Sequence, residues 1–284
     1  MAIIETNNLD VKGLQGLHLY HMDTSCCAQR VRFVLNEKDL EWQSHYIDLR
    51  KQQNLSSDYL SINPNGVVPT LVHDGVVVIE SNDIIQYLDE AFPTIPMMPA
   101  EAAEREIAEA LIARSGEAFD SIVVLSFEFL FKPGKKDFRS IPERYKEIGI
   151  KRQKTELMQE FVSRNGFRRE RIESAVKHIE ADLRHLEEVL SKQAWLTGNE
   201  FGLADIAWAT LAHRLYLLGY PTKSHANVNR WYRSVSERGS FQSSILDWQP
   251  KAVAVFAKTY GALRRLTGTG IGATQRQVAE GKAA

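Results

Sequence analysis

Read for apolar spacing alone, the chain divides in two. Leu17, Leu19 and Tyr20 predict a short strand, residues 21–27 a polar turn, and residues 28–38 a helix. A second strand is expected at 42–47 and a polar, irregular stretch at 48–59. Two apolar runs follow at 67–71 and 76–79, separated by Asp74-Gly75, a dipeptide suited to a tight hairpin turn. A helix over 82–91 should stop before Phe92-Pro93, because proline disfavours helix at the residue before it. Pro93, Pro96 and Pro99 punctuate a linker. Beyond residue 100 the pattern is helical throughout, with Ile107, Leu111, Phe119, Ile122, Leu125 and Phe129 forming the apolar face of one long segment. The order predicts an α/β unit over 17–93, an all-α unit over 100–250 and a tail over 251–284. Residues 1–16 lack periodicity and are expected to be a poorly ordered, dispensable lead-in.

Composition narrows the class. With 284 residues, 44% hydrophobic and 25% charged, the chain can bury the cores of two domains. A net charge of −1 argues against a nucleic-acid partner. One segment departs from this balance: residues 132–171 hold 13 Lys/Arg and 6 Asp/Glu, leaving the rest of the chain at −8. It is either a solvated extension between helices or a basic lid that attracts anionic aromatic substrates, a surface or a partner. Residues 252–266 are apolar but interrupted by Lys258, Arg264 and Arg265, which fits a helix packed on its own protein, a surface anchor or disorder. Residues 268–284 have no core-forming pattern. No apolar run approaches the ~20 residues of a membrane span. The N-terminus lacks the basic start and apolar run of a signal peptide, and the two adjacent cysteines cannot staple distant elements. A cytoplasmic setting is expected. The eight histidines show no ligand spacing, so no metal is expected.

The residues that could carry chemistry cluster at strand-to-helix junctions. Ser25 is either a plain N-cap or a hydroxyl aimed at an anion where the helix dipole favours one. Cys26 and Cys27 are either small buried residues or include a thiol of lowered pKa; their spacing is not CxxC. Pro69 reads as a strand-edge proline, and Glu80-Ser81 as the entry to a helix. Asp205 keeps half of a capping box whose hydroxyl position is Gly202, with Phe201 and Ile206 at the staple positions.

Taken in order, these residues resemble the glutathione site of the cytosolic glutathione transferases. Ser25 stands five residues before Arg30, with Arg32 beyond it; Asn63-Pro64-Asn65-Gly66-Val67-Val68-Pro69-Thr70-Leu71 and Glu80-Ser81 follow, and residues 198–215 resemble the family's helix-capping motif. The sequence is similar to bacterial β-aryl etherases, tetrachlorohydroquinone reductive dehalogenases and ganglioside-induced differentiation-associated transferase-like proteins. The resemblance implies a thioredoxin-like N-terminal domain, an all-α C-terminal domain, a homodimer, glutathione as co-substrate and a small aromatic electrophile. It implies that Ser25 gives a hydrogen bond to the glutathione thiolate and that a cis Val68–Pro69 bond turns the Val68 main chain toward the cysteinyl part. Glu80 would take the γ-glutamyl ammonium and Ser81 its carboxylate. Gln53 and Asn54 would lie near the glycine end, while Met22, the long helix that starts at residue 100 and the tail near Trp248 shape the electrophile pocket. Cys27 occupies the place of the dehalogenase cysteine, so reductive dehalogenation stands beside β-aryl ether cleavage. A non-catalytic binding protein is a third reading.

Overall fold

Alternation in the first third builds a five-stranded sheet in a computed structural model that describes residues 2–280. The elements are β1 (Ile3–Ile4), α1 (Leu9–Lys12), β2 (Leu17–His21), α2 (Cys26–Glu37), β3 (Gln43–Tyr46), α3 (Ser57–Leu60), β4 (Thr70–His73), β5 (Val76–Val78) and α4 (Ser81–Ala91). Strand order is β1-β5-β4-β2-β3, with β2 and β3 parallel and the other pairs antiparallel. Leu19 pairs with Leu71, and Leu71 with Val78; all three lie in the core shared with Val31 and Val34 of α2 and Ile84 and Leu88 of α4. Strand side chains alternate faces, so Val72 and Val77 point the other way. There they meet Val11, Ile62, Ala2, Ile4 and Leu14.

That second face corrects the reading of the lead-in. Residues 2–16 are not a dispensable tail: β1 pairs with β5, and Val11, 2% exposed, plugs the rear of the sheet. At the hairpin, Asp74 and Gly75 both take positive φ, and a Cβ on Gly75 would stand 2.5 Å from the Lys12 carbonyl oxygen. The strand expected at 67–71 begins only at Thr70, because the Val67 carbonyl accepts from the side chains of Tyr59 (2.6 Å) and Asn63 (3.0 Å), not from a neighbouring strand.

The helical part comprises α5 (Ala102–Ser126), which runs through a π-turn at Phe127–Phe131 and a 3₁₀ turn at Lys132–Phe138, then α6 (Ile141–Glu147), α7 (Arg152–Val162), α8 (Arg169–Leu190), α9 (Leu203–Leu218), α10 (Ala226–Ser236), α11 (Gly239–Phe241), a second π-turn at Gln242–Leu246, α12 (Lys251–Leu266) and α13 (Ile271–Ala279). Helix α9 is buried nearly all round and packs against both α5 and α2, joining the two parts. Its start explains Gly202. Asp205 accepts from the N–H groups of Gly202 (3.0 Å) and Leu196 (3.0 Å) and from Trp231 Nε1 (2.7 Å). The Met97 carbonyl docks where a hydroxyl cap would reach, accepting from Leu203 N at 3.0 Å. A Cβ at position 202 would lie 2.6 Å from that oxygen, so only glycine fits.

Two further expectations change. The basic segment is not a solvated extension: α6 and α7 bury Ile141, Met158 and Phe161. The tail is helical, and part of the stretch without a core pattern is anchored, since Ile271 is 2% exposed and Gln275 donates to the Pro221 carbonyl at 3.1 Å. Arg264 of α12 holds the Glu128 carbonyl at 2.7 Å. Residues 281–284 lie outside the described residues.

Candidate active site

Two helix N-termini and one loop converge beside the sheet. Ser25 caps α2, its hydroxyl oxygen accepting the Ala28 N–H at 3.3 Å. A hydroxyl has one donor and two acceptor sites, so capping leaves the Ser25 O–H available to an incoming anion. The turn before it is held by two arginines. Arg32 donates to the carbonyls of Met22 (3.2 Å) and Asp23 (2.8 Å) and to His21 Nδ1 (3.0 Å), while Arg214 of α9 donates to the Thr24 carbonyl at 2.6 Å. Since arginine can only donate, His21 Nδ1 accepts and its Nε2–H goes to Ser44 Oγ at 2.8 Å. Burial, with help from Arg32, pushes the His21 pKa down to about 3 and keeps the ring neutral. Burial also lowers Arg32 to about 9, against the pull of Asp23.

Arg30 lies two residues from Arg32, about 200° around the helix, and so serves the opposite side. It is 2% exposed and donates to Ser81 Oγ (3.3 Å), to Asn82 Oδ1 and to the Ala207 carbonyl (3.0 Å). Ser81 opens α4 and is buried. Glu80 before it is exposed, accepts from Asn65 Nδ2 at 3.1 Å and has φ 63, a backbone conformation costly for a residue with a Cβ. Between the two helix ends stands the Val68–Pro69 loop, whose bond is cis. Among the described residues, the Val68 N–H and C=O enter no hydrogen bond, although the Val67 carbonyl takes two.

Several expected residues make structural contacts of their own. Gln53 spends its carbonyl on the Asp48 N–H (2.7 Å), and Asn54 donates to the Gly66 carbonyl (2.6 Å), so both brace the loop beneath the site. Met22 stays at the turn. Trp248 packs on His21 (4.8 Å) and Trp42 (6.0 Å) and beneath Arg32 (5.0 Å), behind the turn. Cys27 is not a low-pKa thiol: burial pushes it up, beyond what Arg30 and a hydrogen bond with Ser81 pull down. Cys26 is buried in the core.

A cavity of about 390 Å³ is lined by Leu49, Arg50, Leu130, Phe131, Phe138 and Phe256, among others. Its lining is linked to the Met22–Ser25 turn through one intervening residue on each side. Arg214, bonded to the Thr24 carbonyl, lies 5.8 Å from the Phe131 ring, and Asp23 hydrogen-bonds Tyr46, which feels Arg50. The FEFLF run at 127–131 was its local signal. No group of three or more His, Cys, Asp or Glu side chains suited to a metal occurs among the described residues, and no helix among them is long and apolar enough to cross a membrane.

Known proteins resemble this chain in sequence and fold. The family model described as "Glutathione S-transferase, N-terminal domain" matches residues 19–96, and its C-terminal counterpart residues 168–234. Protein LigF of Sphingobium sp. (strain NBRC 103272 / SYK-6) is 30% identical over 205 residues, 70% of this chain and 79% of that protein. Glutathione S-transferase Z1 of Arabidopsis thaliana is 28% identical over 84% of this chain and 96% of its own. The crystal structure of beta-etherase LigF from Sphingobium sp. strain SYK-6 superposes with a TM-score of 0.73 at 25% identity, covering 81% of this chain and 98% of that one.

Proposed function

The chain belongs to the glutathione S-transferase family, and on that footing we propose that it activates the glutathione thiol to attack an aromatic electrophile, with β-aryl ether cleavage as its reaction. The observation that carries the glutathione part is the unpaired Val68 main chain, set between the N-termini of α2 and α4. An extended cysteinyl residue would bond to it as an added strand. Glu80 would then face the γ-glutamyl ammonium, while Ser81 and the α4 N-terminus face its carboxylate. The sulfur would fall near Ser25. A thiol with a pKa of about 8.5 is only about 3% ionised at pH 7, and lowering it by ~2 units takes roughly 2.7 kcal/mol. One charge-assisted hydrogen bond from Ser25 plus a helix terminus is of that size.

The thiolate attacks the ether-bearing carbon, a C–S bond forms, the C–O bond breaks, and the electron pair leaves with the phenolate, which takes its proton from water. The aromatic-lined cavity suits the aryl group, and LigF supports the choice of reaction. The same reading takes the enzyme as a cytoplasmic homodimer, with the glutathione unit over 17–93 and the electrophile unit over 100–250.

Given a β-aryl ether and glutathione, the protein should release the phenol and yield a thioether, and Cys27→Ser should do so at near-parental rates. Failure to release phenol from any aryl ether rejects the etherase. A glutathione–aromatic adduct that accumulates only in Cys27→Ser would instead make Cys27 a second catalytic thiol, as reductive dehalogenation needs; the raised Cys27 pKa speaks against this. Glu80→Gln removes the charge but keeps the backbone. Its glutathione affinity by calorimetry should fall about tenfold, and an unchanged affinity would remove Glu80 from the site.

A further inference from the structure

The basic segment is built against the glutathione side of the sheet. Arg144 of α6 donates to the Leu55 carbonyl at 3.1 Å, Gln52 Nε2 donates to Ser140 Oγ at 2.8 Å, and the Ile150 Cδ1 stands 3.4 Å from where a Cβ on Gly66 would be. Helix α7 continues from there, anchored by Met158 and Phe161. Lys154 precedes these two by four and seven residues, so it lies on the same, inward stripe of α7, where a lysine is out of place. It is half-buried, flanked by Glu80, Asp120 and Cys27, and no carboxylate comes within salt-bridge distance of it among the described residues.

A second cation close by is also short of a counter-charge. Arg30, whose Nη1 touches Ser81 Oγ, is bonded only to neutral oxygens, and its buried Nε has no partner. Buried charges are costly unless paired. One cation on Ser81 and a second facing its neighbours Glu80 and Cys27 therefore mark the place of an absent anion.

We propose that Lys154 is a glutathione contact supplied by the basic segment, its ammonium closing over the γ-glutamyl α-carboxylate held by Ser81 and the α4 N-terminus. The assignment rests on the glutathione reading above and adds a residue to it. Binding then pairs every charge: the ligand's ammonium with Glu80, its carboxylate with Lys154 and Arg30. The ligand-free protein agrees in sign, since burial lowers the Lys154 pKa in spite of Glu80 and Asp120.

The test is calorimetry on the full chain and on Lys154→Gln, with glutathione and with 4-aminobutanoyl-cysteinylglycine, which lacks only the α-carboxylate. Lys154→Gln should bind glutathione about tenfold more weakly and the analogue as the parent does, while Lys154→Arg should recover most of the loss; thermal melts matching the parent's establish that both variants are folded. Equal glutathione affinities in parent and Lys154→Gln overturn the inference and leave the glutathione site standing. So does an equal loss for both ligands, or an unchanged affinity with a raised pKa of the bound thiol, either of which gives the ammonium another target. If the parent itself binds no glutathione, the underlying reading fails.

Discussion

Ser25→Ala should lower turnover at pH 7 by roughly 3- to 25-fold while glutathione affinity stays close to parental. The hydroxyl acts on the sulfur and not on the peptide ends, which Val68, Glu80 and Ser81 hold. Losing a hydrogen bond to a charged group costs about 1.5–3 kcal/mol, so the bound thiol pKa rises by about 1–2 units and the thiolate becomes a minor species at neutral pH. The deficit should close as the pH is raised past the mutant's thiol pKa, because the sulfur then ionises unaided. The same substitution removes the α2 cap, whose Ala28 N–H at 3.3 Å loses its acceptor, at about 1 kcal/mol of stability. Stability loss alone would not move a pH–rate profile. Thiolate absorbance against pH reads the shift directly, and superimposable titrations of mutant and parent would assign activation to another group.

Asp205→Ala should be the most destabilising single change, at about 3–5 kcal/mol, because three buried donors lose their acceptor together: the Leu196 and Gly202 N–H groups and Trp231 Nε1. In a chain of this size that lowers the melting temperature by roughly 10 °C. Burial pushes the Asp205 carboxyl up to about 6, against those donors. The sign follows: the folded state holds this proton more tightly than the unfolded chain, whose aspartate titrates near 4. The group's contribution is therefore full below about pH 4 and lost as pH rises through 6. Melts of parent and variant from pH 4 to 7 should show the gap widening toward acid. A variant that melts with the parent at every pH would mean that the capping of α9 does not matter to stability.

Most of the fold was legible because its signals are local. Period-two and period-3.6 spacing, Asp74-Gly75, and the stop before Pro93 act over a few residues, and the elements around the sheet appear close to where they were expected. Ser25, Val68, Pro69, Glu80 and Ser81 could be set in order for the same reason, each lying at the end of such an element. Gln53, Asn54 and Trp248 also make structural contacts that spacing does not show, through Gln53 Oε1, Asn54 Nδ2 and the Trp248 ring. Cys27 shows the limit most sharply. A helix N-terminus suggests a low thiol pKa, but burial beside Ser81 raises it, and burial is not a local property.

By itself the sequence determined which segments pair and coil, and which residues open α2 and α4. Only the tertiary structure decided what meets those openings. Gly202 reads as a damaged cap until the Met97 carbonyl is found against it. Residues 2–16 read as loose until Val11 is seen closing the rear of the sheet. Arg214 reaches Thr24 across 190 residues, and Arg144 reaches Leu55 across 89. Lys154 has no local reason to lie on an apolar stripe. Contacts between residues so far apart leave no period or spacing in the chain, since their energy exists only once the helices have packed and excluded water from the charges between them.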